Sequence, residues 1–268
     1  MREKFPFTTT KILLYRSIVG VGRWAQLVTE TVRASCKTPP SWNLILDQLF
    51  HMGVLSLPVV AITGFSTGLV LAAQSFYQLG DKGLASATGL LVGKSMLTEI
   101  GPVLTAFMVT GRVGSAMTAM LGSMKVTEQI DAIKSMSVNP FSYLIAPRIL
   151  GSITMLPLLT IFSAIMGIFG GYLISVYVFG MTSQGYFDPM PLNITHFDIW
   201  IGMIKGFCFA LLISTISCYK GLQTTGGAAG VGTATTNSVV ICYSYILIIN
   251  FILTIGLNKI HLLFLEWL

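Results

Sequence analysis

Five apolar runs, each long enough to cross a bilayer, dominate this chain. A helical span needs about 20 predominantly apolar residues, and residues 54–77, 90–109, 149–177, 199–219 and 239–257 each satisfy that demand. Within hydrocarbon every backbone N–H and C=O must find a partner inside the protein, and a helix provides one for each. The chain is 53% hydrophobic and 10% charged, against roughly a quarter charged in soluble domains. The predicted class is an all-α integral membrane protein with about five transmembrane helices. Residues 51–268 form its membrane domain, and residues 1–50 precede it with a different character. No region is polar enough for a soluble catalytic domain, and no internal repeat stands out.

Charge placement predicts orientation. Arg2, Lys4, Lys11, Arg16, Arg23, Arg33 and Lys37 precede the first run, and Arg112, Lys125, Lys134 and Arg148 fall between the second and third. Residues 149–204 contain no Lys or Arg but carry Asp188 and Asp198, and the first connection has Lys82 beside Asp81. Cytoplasmic loops collect Lys and Arg, so the N-terminus and loop 112–148 are expected inside, and the Asp188 loop and C-terminus outside. The net charge of +6 therefore speaks of membrane orientation and anionic lipid rather than nucleic acid. The first residues lack a short apolar core and cleavage site, unlike a signal peptide. Residues 11–28 interleave Ile12, Leu13, Leu14, Ile18 and Val19 with Lys11, Arg16, Arg23 and Trp24. That suits an interfacial helix in the inner headgroup layer, ended by Pro39-Pro40.

Glu99 sits inside the second run. An ionisable group in a span is costly unless paired or wet, and marks a functional site by default. Gly101-Pro102 follows, and proline removes a helix hydrogen bond, so a helix break is expected there. Glu99 then has two readings: it satisfies the break, or it faces a transport pathway. Lys94 lies one turn before Thr98, and either snorkels outward or offers a cation to an anionic headgroup. A second break or tilt is expected in the third run, at Pro157 and the glycines 167, 170 and 171.

Near residues 123–136, Val126, Ile130 and Ile133 recur at i, i+4 and i+7 among Lys125, Glu128, Asp131 and Lys134. This is a short amphipathic helix, suited either to the membrane surface or to a groove on a partner. Gly64 and Gly68 form a GxxxG pair, which allows close helix approach. Cys36, Cys208, Cys218 and Cys242 and the three histidines have no metal-ligand spacing, and no metal or cofactor is expected. Residues 221–238 are glycine-rich but lack the GK[ST] ending of a phosphate loop. There is no Ser/His/Asp arrangement and no HExxH, which argues against an intramembrane enzyme.

The run EIGPVLTAFMVTGRVGSAMTAMLGSMKVTEQIDAIKSMSVNPFSYLIAPR (99–148) resembles the signature of the MlaE/YrbE permeases, membrane subunits of ABC transporters that work with MCE proteins. GLQTTGGAAGVGTATTNSVV (221–240) resembles that family's second signature. The resemblance implies a homodimeric permease, a cytoplasmic ABC ATPase that hydrolyses ATP on a separate chain, and an MCE-domain partner on the outer face. It implies a lipid substrate, glycerophospholipids, carried between inner and outer membranes. The location would be the bacterial inner membrane, or alternatively a plastid inner envelope. Lipid-binding residues would be Glu99, Lys94 and Thr98. ATPase-coupling residues would be Lys125, Val126, Glu128, Ile130, Asp131 and Ile133. Thr98 stands where some relatives carry a basic residue, Met120 where relatives often carry Glu, and Ala229, Thr233 and Asn237 where charges are common. The competing reading from the residues alone is an ion-coupled secondary carrier that uses Glu99 and Lys94 as a relay.

Overall fold

The computed structural model describes residues 6–81 and 84–266. It is 90% helical, with no strand among the described residues. Five helical segments are long and apolar enough to span a membrane: Trp42–Gly80, Ala85–Val126, Phe141–Val178, His196–Leu222 and Gly227–Ile260. The all-α membrane class and the number of spans expected from the apolar runs are therefore both found. Arg2, Lys4 and Lys82, used above in the orientation argument, lie outside the described residues.

The chain begins with α1 (Pro6–Lys37). Of the described side chains, Leu27, Thr31 and Ala34 are buried, while Arg23, Arg33 and Lys37 are exposed. That i, i+4, i+7 stripe is the amphipathic pattern of a helix lying along a surface. The first span is α2 (Trp42–Met52) and α3 (Leu57–Gly80), joined by a tight turn at residues 54–56. Gly53 is the bend. Arg112, from the second span, reaches the bend and donates to Ser56 Oγ at 2.6 Å and to the His51 carbonyl at 3.4 Å.

The second span is α4 (Thr88–Ser95), α5 (Gly101–Val109) and α6 (Ser115–Val126), separated by wide π turns at Met96–Ile100 and Thr110–Gly114. It is longer than the apolar run suggested: the helix continues to Val126, with Gly114 and Gly122 close against Ile213, Ser217 and Thr224, so that packing rather than helix propensity sustains it. Arg112 is thus a helix residue, not a loop residue. A turn with Glu128 at φ 59° leads to the short α7 (Gln129–Ser135). The predicted single helix over 123–136 is instead the end of α6, this turn, and α7. The third span contains α8 (Ala146–Leu173), which also holds Arg148. α8 runs through Pro157 without the expected break. Thr160 donates to the Pro157 carbonyl at 2.6 Å, and packing on both sides holds the helix together. The connection between the third and fourth spans forms α9 (Ser183–Phe187) and α10 (Pro189–Asn193). The last spans are α11 (His196–Leu222) and α12 (Gly227–Glu266).

α8 and α11 are central. α3 packs along α8, α8 along α11, and α11 along α6 and α12. Accordingly 56% of the α11 span is buried but only 11% of the α12 span. α12 presents Val240, Leu247, Phe251 and Ile255 outward, as a helix facing lipid or another protein does.

Candidate functional site

The second span turns wide where Pro102 follows Gly101. In a regular helix the N–H of residue 102 would bond the carbonyl of Thr98. Pro102 has no N–H. The chain absorbs this with the π turn Met96–Ile100 rather than an open break, and π turns recur at functional sites. The Thr98 carbonyl accepts instead from Lys205 Nζ of α11 at 2.9 Å. α11 comes this close because of Gly202: a Cβ there would lie 2.4 Å from the Leu97 carbonyl oxygen.

Lys205 is the organising residue. Its side chain has 0% exposure, and Nζ lies 2.7 Å from Glu99 Oε1. It also donates to Thr254 Oγ1 of α12 at 2.8 Å. Glu99 in turn lies 3.0 and 3.1 Å from the Thr254 hydroxyl and accepts from Asn250 Nδ2 at 3.3 Å. Three spans thus meet at one polar cluster. A charge so deep in a span persists only when paired and hydrogen-bonded, and Lys205 has both. The Glu99 side chain keeps 37% exposure, so the pair is closed on the lysine side and open on the carboxylate side.

Lys94 does not pair with Glu99. Its ammonium lies 3.8 Å from Asp198 Oδ1, and the two side chains are 52% and 4% exposed. Asp198 Oδ2 accepts from the Thr195 N–H and hydroxyl, capping α11. Lys94 also lines an open cleft of about 290 Å³ with Leu79, Ala87, Leu90, Leu91 and Ser95. Thr98 donates its hydroxyl to the Lys94 carbonyl at 2.9 Å, so its side chain is spent within its own helix. Lys205, Asn250 and Thr254 were missed in the sequence. A signal for Lys205 existed, since it is a charge inside the apolar run 199–219. Asn250 and Thr254 become polar partners only through the fold.

At the opposite end, α7 splits the residues expected to act together. Ile130 is buried and Ile133 half-buried, packed with Leu27, Leu121, Leu144 and Ile145 of the same chain. Val126 is half-buried and Glu128 exposed. Lys125 and Lys134 grip Asp131 at 3.1 and 3.0 Å. Lys134 first and Lys125 second hold the Asp131 carboxyl below the usual carboxylate range. The free face is Glu128, Ala132, Ser135 and Met136.

A bundle of five candidate spans with a buried ion pair opening on one side, and a short polar helix at one end, defines a multi-pass membrane protein. The family model for permease MlaE matches residues 45–256, and the chain belongs to the MlaE permease family. It is 39% identical to the probable ABC transporter permease protein RP096 of Rickettsia prowazekii, over 88% of this chain and 91% of that one. It is 36% identical to the intermembrane phospholipid transport system permease protein MlaE of Haemophilus influenzae, over 79% and 81%. The chloroplastic protein TRIGALACTOSYLDIACYLGLYCEROL 1 of Arabidopsis thaliana is also 36% identical, over 80% of this chain and 61% of that one.

Proposed function

We propose that this chain is the membrane subunit of an ABC transporter that moves glycerophospholipids between inner and outer membranes. It works as a homodimer, with ATP hydrolysed on a separate cytoplasmic chain and an MCE-domain protein on the outer face. It resides in the bacterial inner membrane with its N-terminus inside. The observation that carries this reading is the Glu99–Lys205 pair, an ion pair in a span whose carboxylate stays open, in a chain whose relatives include a phospholipid permease. Glu99, Thr98 and Lys94 border the lipid path. Thr98 holds Lys205 in place through its backbone carbonyl, and Lys94 offers a cation beside an apolar cleft that suits an acyl chain. Reconstitution with the ATPase in lipid vesicles tests this: lipid transfer should require ATP. Transfer that ignores ATP and follows an ion gradient would favour the carrier reading.

α7, with residues Lys125–Ile133, is the ATPase-coupling element. Ile130 and Ile133 anchor it to the bundle, and its exposed face meets the partner, a helix set in a groove. Glu128→Lys with Met136→Asp should weaken ATPase co-purification about tenfold, by charge reversal and a polar group at an apolar contact, with the thermal stability of the permease unchanged. Ile130→Asp should instead lower that stability, since it puts a charge into a packed cluster. Full co-purification of the ATPase with the first variant would remove α7 from the interface.

Orientation has its own test. In a cysteine-free background, an impermeant thiol reagent applied to intact cells should label Gln184→Cys and leave Ser135→Cys unlabelled. Both positions are exposed. The reverse pattern would invert the topology.

A further inference from the structure

The valences left over at the ion pair identify the headgroup chemistry it accepts. Lys205 Nζ has three protons and three acceptors: Glu99 Oε1, the Thr98 carbonyl and Thr254 Oγ1. It is saturated and fully buried, so it has no donor to give a phosphate. Glu99 is different. An ionised carboxylate accepts at about four lone-pair positions. Lys205 and Asn250 take one each, and Thr254 has a single hydroxyl proton. At least one position therefore remains, on a side chain that is 37% exposed. Asn250 adds to this. Because the carboxylate can only accept, the amide nitrogen faces Glu99, and Oδ1 is left buried without a partner among the described residues. Apart from the second amide N–H of Asn250, the unused valences at this site are acceptors.

We infer that the open side of Glu99 selects lipid headgroups that donate hydrogen bonds, a primary ammonium before all, and discriminates against headgroups that present only phosphate. This rests on the lipid-permease reading above and deepens it. A primary ammonium gains a charge-assisted hydrogen bond to the carboxylate. A trimethylated ammonium keeps the charge but has no N–H to donate. A bare phosphate monoester meets a carboxylate of like charge with the ammonium hidden behind it.

The test uses the full chain in complex with its ATPase, incubated in mixed micelles with equal amounts of phosphatidylethanolamine, phosphatidylcholine and phosphatidic acid of identical acyl chains. Retained lipid is counted by mass spectrometry. The wild-type complex should retain phosphatidylethanolamine at least about threefold over each of the others. Glu99→Leu/Lys205→Met, which removes both charges together and so keeps the fold, should retain the three classes equally. Equal retention by the wild type, or preference for phosphatidic acid, would overturn the headgroup inference and leave the permease reading standing. The same selectivity in the double variant would also overturn it, by assigning the selectivity elsewhere. Wild-type protein that retains no more lipid than an unrelated membrane protein would instead sink the lipid reading itself.

Discussion

Glu99→Leu alone is expected to cut the yield of folded protein severely, and adding Lys205→Met is expected to restore most of it. The asymmetry follows from burial. Lys205 is fully enclosed while Glu99 is 37% exposed. Removing the carboxylate strands an ammonium inside the span, where loss of one partner of a buried pair costs about 3–5 kcal/mol. Lys205→Met alone is milder, about 1–2 kcal/mol, since Glu99 keeps Thr254 and Asn250 as donors and an open side. With both charges gone, apolar side chains of similar volume replace the pair, a change that is often neutral in folded proteins. Thermal unfolding of the four forms in detergent gives the coupling. The single-site losses together come to about 4–7 kcal/mol and the double variant is near neutral, so the effects should fail to add by about 4 kcal/mol or more, in the sense of rescue. Additive effects would mean that Glu99 and Lys205 do not act as a pair.

Gly68→Leu is expected to be at least as damaging, with no rescue available from a single second site. Gly64 and Gly68 face α8, and a Cβ at Gly68 would lie 1.9 Å from the Gly167 carbonyl oxygen. The obstacle is backbone, which cannot rotate away as a side chain can. Helices in membranes associate through such close contact, because lipid is as apolar as leucine. Forcing α3 and α8 apart would loosen the longest contact of the bundle, and overpacking alone costs about 1–3 kcal/mol before that loss. Gly80→Leu is the control, since nothing lies within 4 Å of its Cβ position. Monodisperse yield should collapse for the first and stay near wild type for the second. Normal behaviour of Gly68→Leu would mean that α3 and α8 are not packed as described.

Much of the architecture was legible because it is written locally. A run of apolar residues declares a span wherever it occurs, and Gly64 and Gly68 declared a contact face, though not that the partner would be α8. What was not legible is tertiary. Glu99 was conspicuous as a carboxylate in an apolar run, but its cation lies more than a hundred positions away on α11. Lys94 was the nearer candidate only along the chain, and its partner is Asp198. Pro102 and Pro157 look alike in sequence but act differently. One is absorbed by a π turn that frees a carbonyl for Lys205, and the other is carried through an intact α8 braced by its neighbours. The apolar stripe of α7 was visible, yet its periodicity cannot say whether it faces a partner or its own chain. Ile130 faces its own chain, because α1, the end of α6 and the turn Phe141–Ile145 ahead of α8 supply the apolar surface it needs.

The most direct measurement is ATP-driven lipid transfer from vesicles holding this permease and its ATPase, compared between wild type and the Glu99→Leu/Lys205→Met double variant at matched folded protein. Wild-type transfer should depend on ATP, and the double variant should fall to a tenth or less while remaining folded and bound to the ATPase. Transfer at the wild-type rate by the folded double variant would contradict the account, because it would remove the ion pair at the crossing of α4–α5, α11 and α12 from the transport path.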